Sequence, residues 1–390
     1  MKNNGSLIEL FLISLRLGLT SFGGPVAHLG YFHEEYVRRR KWMDEKNYAD
    51  LVALAQFLPG PASSQVGMGI GMVRAGVPGA LVSFLGFTLP SVVALIVFAA
   101  LLQNYDLADA GWINGLKVVA VAVVAHAVLG MGKKLTPDRE RASIAVVTMI
   151  LLLLWQTVYS QVLLIIAAGV VGLFLYNNNK DSTIQSMEVP IRAKTGAICL
   201  GVFISLLAVL PLARSVFSIE ALNIFDSFYR AGALVFGGGH VVLPLLEQEV
   251  VSLGWVNAEE FLAGYGAAQA VPGPLFTFAT YLGAVMGGWS TALLATAAIF
   301  LPAFLLIIGS VPFWDKLRQQ AKINAALYGI NAAVVGILAA AFYDPIFTSA
   351  IENQIDFALA VGLFGLLYFW KMPAWQVVLI GIAGGIMIGG

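Results

Sequence analysis

Apolar stretches fill most of the chain, and the length of each stretch limits what it can be. Runs 78–103, 112–132 and 195–213 are long enough, at about 1.5 Å per residue, to cross a hydrocarbon core of about 30 Å. Residues 47–58 and 62–73 are not. They flank Pro59-Gly60-Pro61, and each reaches only about 18 Å as a helix. The pattern therefore predicts two half-helices that enter the membrane and return, with the Pro-Gly-Pro turn inside. By the same logic 6–37 is a broken hairpin turning at Gly23-Gly24-Pro25. Single crossings by each of these segments are the alternative. Either way the expected fold is an all-α polytopic membrane protein.

The apolar pattern occurs twice. Phe22-Gly23-Gly24-Pro25 returns as Phe236-Gly237-Gly238-Gly239 at an offset of 214, and the Pro-Gly-Pro turn returns as Pro272-Gly273-Pro274 at 213. Leu89-Pro90 matches Leu301-Pro302 at 212, and Arg16, Gly18, Glu35 and Trp42 match Arg230, Gly232, Glu249 and Trp255. The chain divides into a first repeat, 1–176, a connecting piece, 177–214, and a second repeat, 215–390. The connecting piece is a polar linker followed by one extra apolar run. That odd crossing can invert the second copy.

Loop charge agrees with inversion. Arg38, Arg39, Arg40 and Lys41 face a partner loop with Glu247, Glu249, Glu259 and Glu260. Asp106 and Asp109 correspond to Lys316, Arg318 and Lys322, and Lys133, Lys134, Arg139 and Arg141 to Asp344, Glu352 and Asp356. Basic loops stay cytoplasmic, so the two repeats are expected to have opposite topology, joined by one extra transmembrane helix. Arg214 falls on the expected outer side, against the trend.

Composition narrows the function. Hydrophobic residues make up 59% and charged residues 11%, against about 25% charged in soluble proteins. Lys+Arg and Asp+Glu are 22 each, so no basic excess serves nucleic acid. A lone cysteine, Cys199, rules out a disulfide framework or thiolate cluster. The N-terminus carries no signal-peptide pattern. No Gly-x-x-x-x-Gly-Lys, His-Glu-x-x-His or Gly-x-Ser-x-Gly string occurs, which argues against an ATP-driven pump and a membrane-embedded hydrolase. Neither a cofactor nor a metal is expected.

The motifs are specific as an ordered set. In the first half they are Phe22-Gly23-Gly24-Pro25, Ala27-His28, Trp42, Tyr48, Asp50, Gln56, Pro59-Gly60-Pro61 and Gly86-Phe87-Thr88-Leu89-Pro90-Ser91. In the second they are Phe236-Gly237-Gly238-Gly239, Leu243-Pro244-Leu245-Leu246, Gly254-Trp255, Glu260-Phe261-Leu262, Gln269 and Pro272-Gly273-Pro274. On these residues the chain resembles the chromate ion transporter family in its long, two-domain form. The resemblance implies a multi-pass inner (plasma) membrane transporter of chromate, acting in efflux and chromate resistance, with sulfate as the similar competitor. The partners expected are that oxyanion, the lipid bilayer and a second copy in a homodimer. An anion channel on the same fold, or an enzyme, is the alternative.

Inverted repeats place substrate near the midplane, where half-helix ends present N–H groups to an anion. The candidate substrate-binding residues are therefore Gln56, Pro59, Gly60, Pro61, Ser63 and Ser64, with Gln269, Pro272, Gly273, Pro274 and Thr277 in the second copy. Gly23, Gly24, Gly237 and Gly238 either expose backbone to the substrate or allow helices to approach closely. Arg16 and Arg230 are repeat-equivalent charges in apolar segments and candidates to meet a dianion. Asp226 is a local partner for Arg230, where the first half has Leu12. Glu35, Glu249 and His240 are candidates for proton coupling. His28, His33 and His126 read as isolated side chains in satisfied polar or interfacial roles.

Overall fold

A computed structural model describes residues 6–22, 24–104, 111–155, 160–176, 192–217, 219–236, 239–314 and 320–389. Among these residues the regular structure is helical throughout. The first half comprises α1 (Leu7–Thr20), α2 (Gly24–Phe32, prolonged by a wider turn His33–Arg39), α3 (Glu45–Phe57), α4 (Ala62–Asn104), α5 (Gly111–Leu135), α6 (Arg139–Leu154) and α7 (Ser160–Leu175). The connecting helix is α8 (Ala193–Val216). The second half comprises α9 (Glu220–Leu234), α10 (Val242–Val250), α11 (Ala258–Ala270), α12 (Phe278–Ser310), α13 (Ala321–Ala341), α14 (Gln354–Tyr368) and α15 (Ala374–Gly389). Five stretches, 62–103, 111–135, 193–216, 275–313 and 322–350, are helical, long and apolar enough to cross a membrane. The chain is thus an all-α polytopic membrane protein.

Local rules recur at matching positions. Asp44 caps α3 by accepting from the Asn47 N–H at 2.8 Å, and Asn257 caps α11 by accepting from Glu260 at 2.8 Å. Such caps satisfy helix-end donors that would otherwise lack partners. Both helices stop where Leu58 and Val271 turn extended, ahead of a proline that cannot continue them. The half-helix expected at 62–73 is the first part of α4. It runs into the next crossing without a loop, through a kink at Ala75 and Gly76, where Gly76 takes φ +64. The kink in α12 at Gly287 and Gly288 has nearly the same angles, with Gly288 at φ +75. Glycine carries these left-handed angles without a Cβ penalty, and Pro78 suits the first turn of the segment after the kink in α4.

The halves interlock reciprocally. In the first half, α5 lies against α14 and α15 of the second; in the second, α13 lies against α6 and α7 of the first. Glycines permit the closest approaches: Gly115 meets Gly385 between α5 and α15, and Gly329 meets Gly172 between α13 and α7. Without a hydrophobic drive between helices in lipid, such small-residue contacts maximise packing. At the centre α4 crosses α12, with Phe84 against Phe300 at 5.0 Å. The added helix α8 stays peripheral, with only Gly196 and Leu210 buried.

Candidate functional site

The two Pro-Gly-Pro turns have matching backbones. Gly60 and Gly273 both take φ +111, a region that excludes side-chain-bearing residues without strain. Each glycine N–H donates across to the other half, to the carbonyl just before the Phe-Gly-Gly motif. Gly60 donates to Val235 O at 2.7 Å and Gly273 to Ser21 O at 3.1 Å. The two kinds of turn expected to form the site do meet, in crossed pairs. The N–H groups of these two glycines, however, are already bound and are not free for an anion. Gly24 takes φ +79 at the start of α2, whereas Gly23, Gly237 and Gly238 lie outside the described residues.

Around these matching turns the side chains differ. Behind the first turn, at the start of α4, Ser63, Ser64 and Gln65 are buried. The Gln65 amide donates to Pro59 O at 2.9 Å, bracing the turn, and Ser63 Oγ sits 3.3 Å from His28 Nδ1. His28 is 1% exposed, lies beside the Ser21 backbone and packs edge-on against Phe87 at 5.4 Å. Five buried polar atoms here have no hydrogen-bond partner in the protein: His28 Nε2, Ser21 Oγ, Ser64 Oγ, Gln65 Oε1 and Thr88 Oγ1. Interiors rarely leave such groups unpaired. Behind the second turn, Thr277 donates to Pro274 O at 2.7 Å and is flanked by buried Phe276 and Phe278. Gln56 is exposed while Gln269 is half-buried, with its amide nitrogen unpartnered.

Both repeat-equivalent arginines are ion-paired. Arg16 pairs with Glu35, and Arg230 pairs with Glu249 at 2.9 Å, each with the repeat-equivalent carboxylate of its own half. Glu35 also holds Arg39 at 3.1 Å and Arg40 at 2.7 Å. Asp226, 1% exposed, holds Arg230 at 3.0 Å and Arg214 at 3.3 Å. Arg214, against the loop-charge trend in the sequence, is therefore the extra cation that two buried carboxylates require. Glu35 and Glu249 are engaged by these arginines, and His240 Nδ1 lies 2.7 Å from the Tyr265 hydroxyl. His28, which the sequence alone places in a satisfied polar or interfacial role, has an unpartnered ring nitrogen beside the first turn. The available signal was that its repeat partner is Val242.

Comparison with known proteins agrees with this doubled architecture. The sequence pattern of the family described as chromate transporter matches twice, over residues 8–173 and 222–387. A chromate transport protein of Pseudomonas aeruginosa is 30% identical over 397 residues, covering 96% of this chain and 90% of the relative. An uncharacterized transporter of Methanocaldococcus jannaschii is 26% identical over 395 residues, 99% of this chain and 96% of its own. The uncharacterized transporter YwrA of Bacillus subtilis aligns over 97% of its length with 43% of this chain at 28% identity, so one repeat's length of sequence occurs as a separate protein. No solved structure matches. With the family pattern present in both halves and full-length relatives aligning nearly end to end, this chain belongs to the chromate transporter family.

Proposed function

We propose that the chain is a secondary transporter that moves chromate outward across the cell inner membrane, with sulfate as the chemically similar competitor. The observation that carries this reading is the crossed meeting of the Pro-Gly-Pro and Phe-Gly-Gly segments, which sets the N-terminal end of a half-helix among buried hydroxyls and an imidazole. A half-helix end inside a membrane protein offers N–H groups and a positive dipole to an oxyanion. The resemblance to the Pseudomonas aeruginosa protein, named for chromate transport, supports the choice of substrate. The opposite charges of matched loops support inverted repeats, with Arg38, Arg39, Arg40 and Lys41 cytoplasmic.

Flux into vesicles tests the reading. Purified protein in liposomes, given labelled chromate or sulfate with imposed pH and potential gradients, should show saturable, gradient-coupled uptake. Fast uncoupled current identifies a channel instead, and absence of flux removes the transport reading. For topology, single cysteines at positions 40 and 259 in a Cys199→Ser background should react with an impermeant thiol reagent from opposite sides. Labelling from the same side contradicts inversion.

A further inference from the structure

We propose that the chain holds one tetrahedral-oxyanion site rather than two, at the start of α4, with His28, Ser21, Ser64 and Thr88 as donors. The repeat-related place in the second half is then a filled copy that binds nothing. This rests on the transport reading above and says which turn meets the substrate.

Two independent observations point the same way. The first is unmet hydrogen bonding. His28, Ser21, Ser64 and Thr88 are each at most 2% exposed, and each has a side-chain atom without a protein partner. Leaving a buried polar group unpaired is costly, so four of them together point to a polar ligand. They are linked through contacts. Ser63 touches His28, His28 touches Phe87, and the residue after Phe87 is Thr88, whose carbonyl accepts from Ser91 Oγ at 2.9 Å. Ser21 O binds the Gly273 turn, where an added Cβ would lie 2.8 Å from Ser91 Oγ. Ser63 Oγ lies beside Nδ1, and in the tautomer in which that hydroxyl donates, the ring proton of His28 sits on Nε2, the nitrogen without a hydrogen-bond partner. Three hydroxyls and that N–H are donors for a tetrahedral oxyanion, and the first N–H groups of α4 have no partner within the helix.

The second observation is the other half. Repeat alignment replaces Ser21 by Val235, His28 by Val242, Ser63 by Phe276, Gln65 by Phe278 and Thr88 by Phe300. All five replacements are buried, and the rings of Phe276 and Phe300 pack at 5.9 Å. Thr277, matching Ser64, spends its hydroxyl on Pro274. An oxyanion placed there would lose its hydration and meet one unpartnered side-chain donor, the Gln269 amide, in place of the hydroxyls of the first half. Arg16 and Arg230 are paired with carboxylates and Arg74 stacks on the Trp42 ring at 4.4 Å, so the site works through neutral donors and a helix end.

Equilibrium dialysis of labelled sulfate against the full-length protein in detergent, with chromate as competitor, tests the assignment. Ser64→Ala, Thr88→Val and His28→Gln should each weaken binding of both anions about tenfold or more, the scale of one hydrogen bond to a charged group. Thr280→Val removes a second-half hydroxyl that already has a partner, Thr296 at 2.7 Å, and should leave affinity unchanged. Should His28→Gln fail to fold, the smaller changes Ser64→Ala and Thr88→Val decide. Unchanged affinity in those two means that the cluster holds water only and overturns the proposal. If the wild type neither binds nor transports either anion, the transport reading itself fails. If the wild type does both and the variants keep their affinity, the single-site assignment alone fails.

Discussion

The two Pro-Gly-Pro turns share a backbone and differ in chemistry. Each has a glycine at φ +111 and each donates its glycine N–H to the opposite half. The first opens onto buried serines and a histidine, the second onto phenylalanines. Backbone geometry is fixed by glycine and proline, which both copies keep, whereas the environment depends on side chains that diverged. The ion-pair clusters show the same division. Arg16 pairs with Glu35 while its side chain stays 50% exposed, but Arg230 is 18% exposed and shares its cluster with a carboxylate that is 1% exposed. A doubled scaffold therefore does not imply doubled function.

Charge removal should separate the halves most strongly. Asp226→Asn leaves Arg214 and Arg230 sharing Glu249 and should cost up to about 3–5 kcal/mol, read as a large drop in thermal midpoint in detergent. Glu35→Gln leaves arginines that can reach water, so its cost should be clearly smaller; equal drops would mean that the two clusters are equivalent. Next in size is the proline before each turn. Pro59→Ala lets α3 and α4 approach continuity and removes a helix-end contribution worth up to about 2 kcal/mol, so vesicle flux should fall well over tenfold at equal protein level. Pro272→Ala should reduce flux less if the first turn alone meets the substrate, as proposed; matched losses would favour two working turns.

Gly273→Ala and Gly60→Ala each force a left-handed residue, costing about 1–2 kcal/mol. Gly273 should be the worse because its added Cβ meets Ser91 Oγ at 2.8 Å, against 3.1 Å to Ala303 Cβ at Gly60. Thermal unfolding of the two variants measures the difference, and a larger loss at Gly60 would contradict the packing described. The smallest effects come from the caps. Asp44→Ala and Asn257→Ala should each cost about 1 kcal/mol and, unlike the other pairs, cost the same.

Much of this was legible in the sequence because it rests on period, length and breakers. The half-helices around residue 60, their copies and the connecting helix follow from apolar run lengths and prolines. Runs 62–73 and 78–103 read as separate segments in the sequence, since a glycine near a proline does not reveal that the helix resumes at once after the kink at Gly76. The pairing of Arg16 is not legible for a different reason. Arg16 and Glu35 are 19 residues apart, a separation that no helical spacing rule connects, so Arg16 reads as a lone intramembrane charge. His28 reads in the sequence as an isolated, satisfied side chain, because a repeat marks the residues that recur, whereas the proposed site rests on residues that do not: His28 against Val242, Thr88 against Phe300.

The number of anions bound per chain distinguishes one working turn from two. Labelled sulfate titrated to saturation on purified, quantified protein should give one anion per chain, and the Ser64→Ala, Thr88→Val double variant should lose it. Two anions per chain, or one that survives the double variant, would contradict the account.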